Sequence, residues 1–240
     1  MKRILLRAEV HCDGQAPFVA HTLELSEGES FVETDVQLAV GTVVRLRLSF
    51  PRLVEPFSVV GRVTSCVASS APGEPAGLEL SIEPVGDADR AQLQTVLTTL
   101  AQEPGAEALE GFHVLLVEDN NLIRDMFSYG IRKYFRGKPG YVTVDHAADG
   151  ASAWKMLADG AYDLAIVDYF LPELDGAQLV QRMRAEPRLA TVPVVAVSVG
   201  GAAARDATLA AGADLFLDKP LVLKDLFATL ERLNAHGAHR

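Results

Sequence analysis

Two periods divide the chain. Up to about residue 100, apolar residues alternate with polar ones in short runs: "FVAHTLELS", "SFVETDV", "TVVRLRLSF", "FSVVGRVTSCV" and "AGLELSIEPV", separated by Gly, Pro, Ser and acidic residues. In "TVVRLRLSF", Val44, Leu46 and Leu48 share one face and Arg45, Arg47 and Ser49 the other, the period of two of a half-buried strand. Several such strands in succession predict a small antiparallel β-barrel. The stretch "DADRAQLQTVLTTLAQ" closes it as a helix, with Asp87 or Asp89 as cap and an apolar stripe of Leu93, Val96, Leu97 and Leu100.

Residues 102–111, "QEPGAEALEG", have the composition of a linker. The chain is therefore read as an all-β domain at 1–101, a linker at 102–111 and a second domain at 112–240. Beyond the linker, continuous aliphatic runs alternate with amphipathic ones. The strands are "HVLLVED", "YVTVDHA", "DLAIVD", "VPVVAVS" and "DLFLDK"; the helices are carried by "NNLIRDMFSYGIRKYF", "GASAWKMLAD", "GAQLVQRMRAEP", "RDATLAAG" and "LVLKDLFATLERLNAH". Strands apolar throughout, interleaved with helices, imply an α/β doubly wound sheet of five parallel strands covered on both faces. Ligands of such sheets bind at the carboxyl ends of the strands. The longer segment "RKYFRGKPGYV" reads as a tolerated loop.

Composition narrows the function. A hydrophobic fraction of 49% and a charged fraction of 22% are those of a folded protein. The net charge of −10 is shared evenly, with 8 basic and 13 acidic residues in 1–100 and 14 and 19 in 101–240. Neither half has the basic surplus that nucleic acid or an anionic membrane would require. Cys12 and Cys66 lack metal-ligand spacing, and no apolar stretch of about 18 residues is present. A reduced, cytoplasmic protein without membrane insertion is expected.

The strand tips carry the chemistry. Glu118 and Asp119 follow the first strand of the second half, Asp168 ends the third, Ser198 the fourth, and Lys219 follows the fifth. Three carboxylates gathered in one pocket repel one another unless a cation neutralises them. A hard divalent ion, Mg²⁺, suits such oxygen donors. The same set suits phosphoryl transfer onto Asp168: Mg²⁺ and the Lys219 ammonium would balance the charge of the equatorial oxygens, and the Ser198 hydroxyl would donate to one of them. Pro220 restricts Lys219 to extended backbone. A phosphatase using a strand-end Asp nucleophile has a second Asp two residues later as acid/base; here that place is Phe170, which transfers no proton, so turnover as an enzyme is not expected.

"LLVEDN", "IVDYFLPELDG", "VVAVS" and "LFLDKP" resemble the response-regulator receiver domain over about residues 112–236. The resemblance implies a flavodoxin-like fold and phosphorylation of Asp168 by a histidine kinase. It implies a metal held by Glu118, Asp119, Asp168 and the backbone carbonyl of Phe170. Ser198 is then the switch hydroxyl, Lys219 the phosphate-binding lysine and Phe216 the switch aromatic. The bulk of Phe170 beside an acyl phosphate would exclude water, so slow dephosphorylation is expected.

In the first half, Arg3 and Arg7 of "RILLR" and the segment "ELSEGESFVET", with the barrel pattern and closing helix, resemble the PilZ domain, a sensor of cyclic di-GMP. Arg3, Arg7 and Ser26 match that family's nucleotide-binding pattern, but Glu24 stands in place of Asp or Asn and Glu29 in place of Gly. Both changes oppose a doubly anionic ligand. The sequence thus points to a two-component response regulator whose PilZ-like output is degenerate for cyclic di-GMP and acts by protein contact, with motility or polarity control implied by resemblance. The alternative is a dual-input adaptor that also binds cyclic di-GMP through Arg3 and Arg7. The expected partners are a histidine kinase and a downstream protein that the sequence does not identify, with a homodimer among the options.

Overall fold

The computed structural model describes residues 2–3, 5–50, 54–68, 75–101, 111–136, 142–219 and 223–234. Residues 102–110 of the expected linker, Pro220, the centre of "RKYFRGKPGYV" and the side chain of Arg3 lie outside the described residues. The chain forms two compact units, Met1–Glu103 with Asp225–Arg240, and Pro104–Lys224.

The first unit carries β1 (Lys2–Arg3), β2 (Arg7–Cys12), β3 (Phe18–Leu25), β4 (Glu29–Glu33), β5 (Val43–Phe50), β6 (Val54–Val67), β7 (Gly77–Pro84) and α1 (Asp87–Ala101). Strands β3, β2, β5, β6, β7 and β4 pair antiparallel in that order, and β4 pairs back onto β3, so six strands close into a barrel. Closure leaves no long edge to recruit another chain. The short β1 lies beside the end of β3, beyond the reach of β2, with Lys2 opposite Leu25 and Arg3 opposite Glu24.

Ala8, Val10, Leu46, Leu48, Val59, Val63, Leu80 and Ile82 fill the interior. The sequence pattern shows five runs; the sixth barrel strand is β2, whose "RAEVHC" sends only Ala8 and Val10 inward and so gives a weak alternation. Thr22 is also fully buried. Its hydroxyl accepts from the Leu6 N–H at 3.1 Å while its own N–H donates to the Leu6 carbonyl at 2.9 Å, which removes the cost of burying the polar groups. Helix α1 packs on β6 and β7 through Leu93 and Val96, and the carboxylate of Asp89 accepts from the Ser58 N–H at 2.7 Å, pinning the helix start to β6.

The α/β fold is carried by β8 (Phe112–Val117), α2 (Asn121–Phe135), β9 (Val142–Ala147), α3 (Gly150–Asp159), β10 (Leu164–Asp168), α4 (Gly176–Ala185), β11 (Val194–Ser198), α5 (Gly201–Ala210), β12 (Leu215–Asp218) and α6 (Leu223–Asn234). The strand order is β12-β11-β10-β8-β9, all parallel. Leu115, Val117, Ala165, Val167, Val194 and Ala196 meet Ala153 and Leu157 of α3, Leu179, Val180 and Met183 of α4 and Ala204 of α5. Val114, Leu116, Leu164, Ile166, Val195 and Val197, on the opposite face, are equally buried, which explains why these strands are apolar throughout.

Side-chain caps set several helix starts. Asn120 accepts from Leu122 and Ile123 at α2, Asp149 from Ser152 at α3, and Asp175 forms a capping box with Gln178 at α4. Helix α5 has no side-chain cap and begins at Gly201, four residues before the "RDATLAAG" pattern, because Ala202, Ala203 and Ala204 extend it backward with the best helix-forming residue. Among the described residues no helix is long and apolar enough to cross a membrane.

Candidate functional site

Strand β8 connects to β9 on one side of the sheet and is flanked by β10 on the other, so the strand order reverses there. Crevices form at such reversals, at the carboxyl ends of the strands. Glu118 follows β8 and is 1% exposed; Asp168 ends β10 and is 5% exposed; Asp119 is exposed at the rim. A carboxylate oxygen from each of the three lies within 4.8 Å of the others.

Lys219, directly after β12, reaches across β11 into this cluster. Its ammonium donates to Glu118 Oε2 at 2.6 Å and to Asp168 Oδ2 at 2.5 Å. The second oxygens are held by backbone: Asn120 N–H donates to Glu118 Oε1 at 3.2 Å and Phe170 N–H to Asp168 Oδ1 at 3.1 Å. Burial is the main cause that raises the Glu118 pKa, and the charge of Asp168 adds to it while Lys219 opposes. For Lys219, burial works against the ammonium, but its bonds to Asp168 and Glu118 outweigh that and raise its pKa. Of the three carboxylates, Glu118 and Asp168 thus share the Lys219 ammonium, leaving the pocket acidic.

Ser198 is fully buried at the end of β11, and its Oγ accepts from the Gly200 N–H at 2.9 Å. Its carbonyl accepts from the Lys219 N–H at 2.9 Å, tying the β11 and β12 tips together. Phe216 is 3% exposed and belongs to the core on the α3–α5 face. Phe170 is 54% exposed, with its ring edge-on to Tyr169 at 4.9 Å and lying against Gly200. Glu118, Asp119, Asp168, Phe170, Ser198 and Lys219 therefore stand at or next to strand tips on one end of the sheet, whereas Phe216 lies within β12, opposite Ala196 of β11.

Residues 114–231 match the family model of the response regulator receiver domain. The two-component response regulator ORR41 of Oryza sativa subsp. japonica is 37% identical over 122 residues, which cover 50% of this chain and 91% of that protein. The chain belongs to the response regulators. The transcriptional regulatory protein TcrA of Mycobacterium tuberculosis is 33% identical over 129 residues, 54% of this chain and 48% of that protein. Response regulator RppA of Synechocystis sp. is 37% identical over 123 residues, 50% of this chain and 49% of that protein. The chain spans about half the length of these two longer relatives.

Receiver domains bind Mg²⁺, and the donor set of this response regulator fits: three hard carboxylate oxygens converge, and one of the three residues is open at the rim. Three supporting residues were not evident from the sequence. Asn120 both caps α2 and holds Glu118. Gly176 lets the chain fold back on β10, its N–H donating to the Tyr169 carbonyl at 3.0 Å where any side chain would strike the Asp168 carbonyl. Gly200 leaves the space that the Phe170 ring occupies. Asn and Gly at loop positions are too common to signal such roles without the fold.

The barrel residues are arranged less favourably. Glu24, Ser26 and Glu29 meet at the β3–β4 turn, where Ser26 Oγ donates to the Glu29 carbonyl at 3.1 Å and accepts from the Glu29 N–H at 3.0 Å. Arg3 stands opposite Glu24 in register. Arg7 stands further along the barrel, opposite His21 and Ser49. His21 Nε2 lies 2.5 Å from Glu33 Oε2. The Arg7 Nε is buried without a hydrogen-bond partner among the described residues.

Proposed function

We propose that this response regulator accepts a phosphoryl group on Asp168 from a histidine kinase and transmits the change through a PilZ-like barrel that acts by protein contact. The carrying observation is the bond of Lys219 to both Asp168 and Glu118 within one acidic pocket. An Asp168 oxygen attacks phosphorus as the phosphorus–nitrogen bond to the donor imidazole breaks, and the imidazole leaves with the bonding electrons. Lys219 and the Phe170 N–H orient the carboxylate and offset charge on the oxygens around phosphorus. Glu118, Asp119, Asp168 and the Phe170 carbonyl would hold Mg²⁺, which when bound supplies further charge neutralisation to the phosphoryl oxygens. The Ser198 hydroxyl accepts from Gly200 and keeps its own proton for a phosphoryl oxygen. With Phe170 in place of a second Asp, the site stores a phosphoryl group rather than turning over phosphate esters.

Rising from the pocket rim, α2 exposes Leu122 and Met126, 70% and 63% accessible, and Phe170 and Val199 are exposed on the other side. An apolar rim around a charged pocket fits a kinase that must seat its phosphohistidine over Asp168. On the barrel, the Ser26 hydroxyl is engaged by the Glu29 backbone and Glu24 faces Arg3 in register, which supports the reading that cyclic di-GMP is not bound. Motility or polarity control follows from the PilZ resemblance. The second reading, a dual-input adaptor, is favoured by one observation: the buried Arg7 Nε, without a partner among the described residues, is a donor a phosphate could take up.

Calorimetric titration with cyclic di-GMP, with and without Mg²⁺ and beryllofluoride, separates the two. Absence of heat in both states, with beryllofluoride still bound, is expected. Micromolar binding that Arg7→Ala abolishes would establish the adaptor instead.

A further inference from the structure

Helix α2 buries Phe127, Ser128 and Ile131 on one side. On its other side three kinds of residue recur at a spacing of seven: Leu122 and Tyr129, Asp125 and Arg132, Met126 and Lys133. Residues seven apart stand two turns apart on the same side of a helix, so the six form one stripe. All six are exposed, and Leu122, Met126 and Tyr129 remain 70%, 63% and 58% accessible. Single exposed apolar residues need no explanation; three in one stripe make a patch.

The charges of this face are sorted along its length. Asp119 and Asp125 stand exposed towards the pocket end; Arg132, Lys133 and the C-cap Arg136 stand exposed at the far end, and no acidic residue occurs from 126 to 144. Arg124, the cation of the first turns, is half-buried one turn before Ser128, on the side that faces His146 of β9. Asp145 of β9, which also acts on His146, accepts the Tyr162 hydroxyl at 2.9 Å. Among the described residues Asp125, Arg132, Lys133 and Arg136 make no ion pair. The Lys133 ammonium lies 5.9 Å from the centre of the Tyr129 ring.

From this ordering we infer that the outer face of α2 is the docking surface for a second copy of the chain, packed antiparallel about a two-fold axis near Tyr129. A two-fold contact is self-complementary: where residue i of one copy meets j of the other, j also meets i. With the axis near Tyr129, Asp125 of each copy meets the partner's Arg132, Met126 meets the stem of the partner's Lys133, and Leu122 that of the partner's Arg136. A parallel pair would set Asp125 against Asp125 and Arg132 against Arg132. Like charges repel there, so the sorted charges select both the occupant and its direction. Tyr, Met and Arg are also the side chains enriched where proteins meet. Four turns of helix bury less than the roughly 800 Å² per partner of a standard interface, so the pair is weak, with a Kd of about 10 to 100 µM. The pairing does not rest on the phosphorylation reading. On the function proposed above it would cover Leu122 and Met126 and so compete with the kinase for the pocket rim.

Sedimentation equilibrium of the full chain between about 5 and about 500 µM is expected to show a reversible monomer–dimer equilibrium that weakens several-fold as salt rises from about 50 to about 300 mM. Asp125→Arg and Arg132→Glu each set like charges opposite one another twice per pair, so each variant alone is expected to dimerise at least about tenfold more weakly. Mixed in equal amounts, the two variants regain both opposite-charge contacts, and the mixture is expected to dimerise within about threefold of the parent. The double variant carrying both changes recovers in the same way on its own. Circular dichroism of every variant matches that of the parent, both positions being exposed. A parent that stays monomeric at about 500 µM, a dimer that the single variants leave intact, or single variants that do not recover on mixing would overturn the inference. Failure of beryllofluoride to bind at Asp168 would instead overturn the phosphorylation reading and leave this pairing standing.

Discussion

Replacing Lys219 by Met keeps most of the side-chain volume and removes only the charge. The ammonium now donates to two carboxylates whose side chains are 1% and 7% exposed. Without it, Glu118 keeps the burial and the Asp168 charge that raise its pKa and loses the group that opposes them. The pair relieves itself by taking up one proton. Starting from an ordinary glutamate value of about 4.3, protonation at pH 7 costs about 1.4 kcal/mol per unit, or about 4 kcal/mol, which caps the loss and agrees with the roughly 3–5 kcal/mol of breaking a buried pair. At pH 5 the same step costs about 1 kcal/mol. The sign follows from proton counts. The folded variant holds a proton that the unfolded chain releases, so its stability falls as pH rises from about 4.3 towards 7. In the parent protein Lys219 stays charged throughout, its pKa being raised, and it opposes the upward shift of Glu118, so the same slope is present but smaller. Saturating Mg²⁺ replaces the missing charge and returns about 3 kcal/mol at a hundredfold excess over its Kd. Urea unfolding in chelator is followed by fluorescence of Trp154, the single tryptophan, which packs against the core behind the site. Equal losses at pH 5 and pH 7, or no recovery with Mg²⁺, would show that Lys219 matters for packing and not for charge balance.

Trading Phe170 for Asn opens the space beside Asp168 to water; loss of the phosphoryl group is expected to quicken about tenfold, measured as decay of phosphoprotein after removal of the donor, and an unchanged half-life would mean the ring does not shield it. Arg184 donates to the carbonyls of Leu189, Ala190, Val192 and Gly212 and to the Asp214 carboxylate at 2.8 Å, so Arg184→Met should cost about 3 kcal/mol of receiver stability in the same urea assay, and a loss below about 1 kcal/mol would show that water replaces the guanidinium. His146, 3.1 Å from Ser128 Oγ, has its pKa lowered by burial and then by Arg124. The unfolded chain therefore binds the extra proton, and stability should decline as pH drops below about 6.5. His146→Gln is expected to remove that part of the decline; an identical pH profile would assign it to other groups.

The strand tips were legible because the physics that buries a parallel strand on both faces also makes its polar terminus conspicuous. Asp168 after "LAIV" and Ser198 after "VVAV" stand out for that reason, and both occupy the ends of fully buried strands. Harder to read were positions whose meaning depends on a distant partner. Strand β2 went unnoticed because two inward residues do not make a pattern until β3 and β5 flank it. Ser26 and Glu29 read separately as one conserved-type match and one departure; together they close a turn in which the hydroxyl is already used.

Lys219 shows the same limit at the site itself. Its position after a strand suggests a phosphate ligand, yet before any phosphate arrives it neutralises two buried carboxylates 51 and 101 residues away in the chain. A phosphoryl group on Asp168 would bring new oxygens to that ammonium and draw it from Glu118, so the charge that neutralises the two carboxylates would on the proposed function also sense the modification. Because the Lys219 N–H is bonded to the Ser198 carbonyl, a shift of the lysine is felt directly at the neighbouring strand tip. The Ser198 loop carries Gly200, against which the Phe170 ring rests, so acceptor, lysine, serine and shielding ring form one connected set of contacts. On the function proposed above, input to this protein would be a redistribution of one positive charge among carboxylates and phosphate.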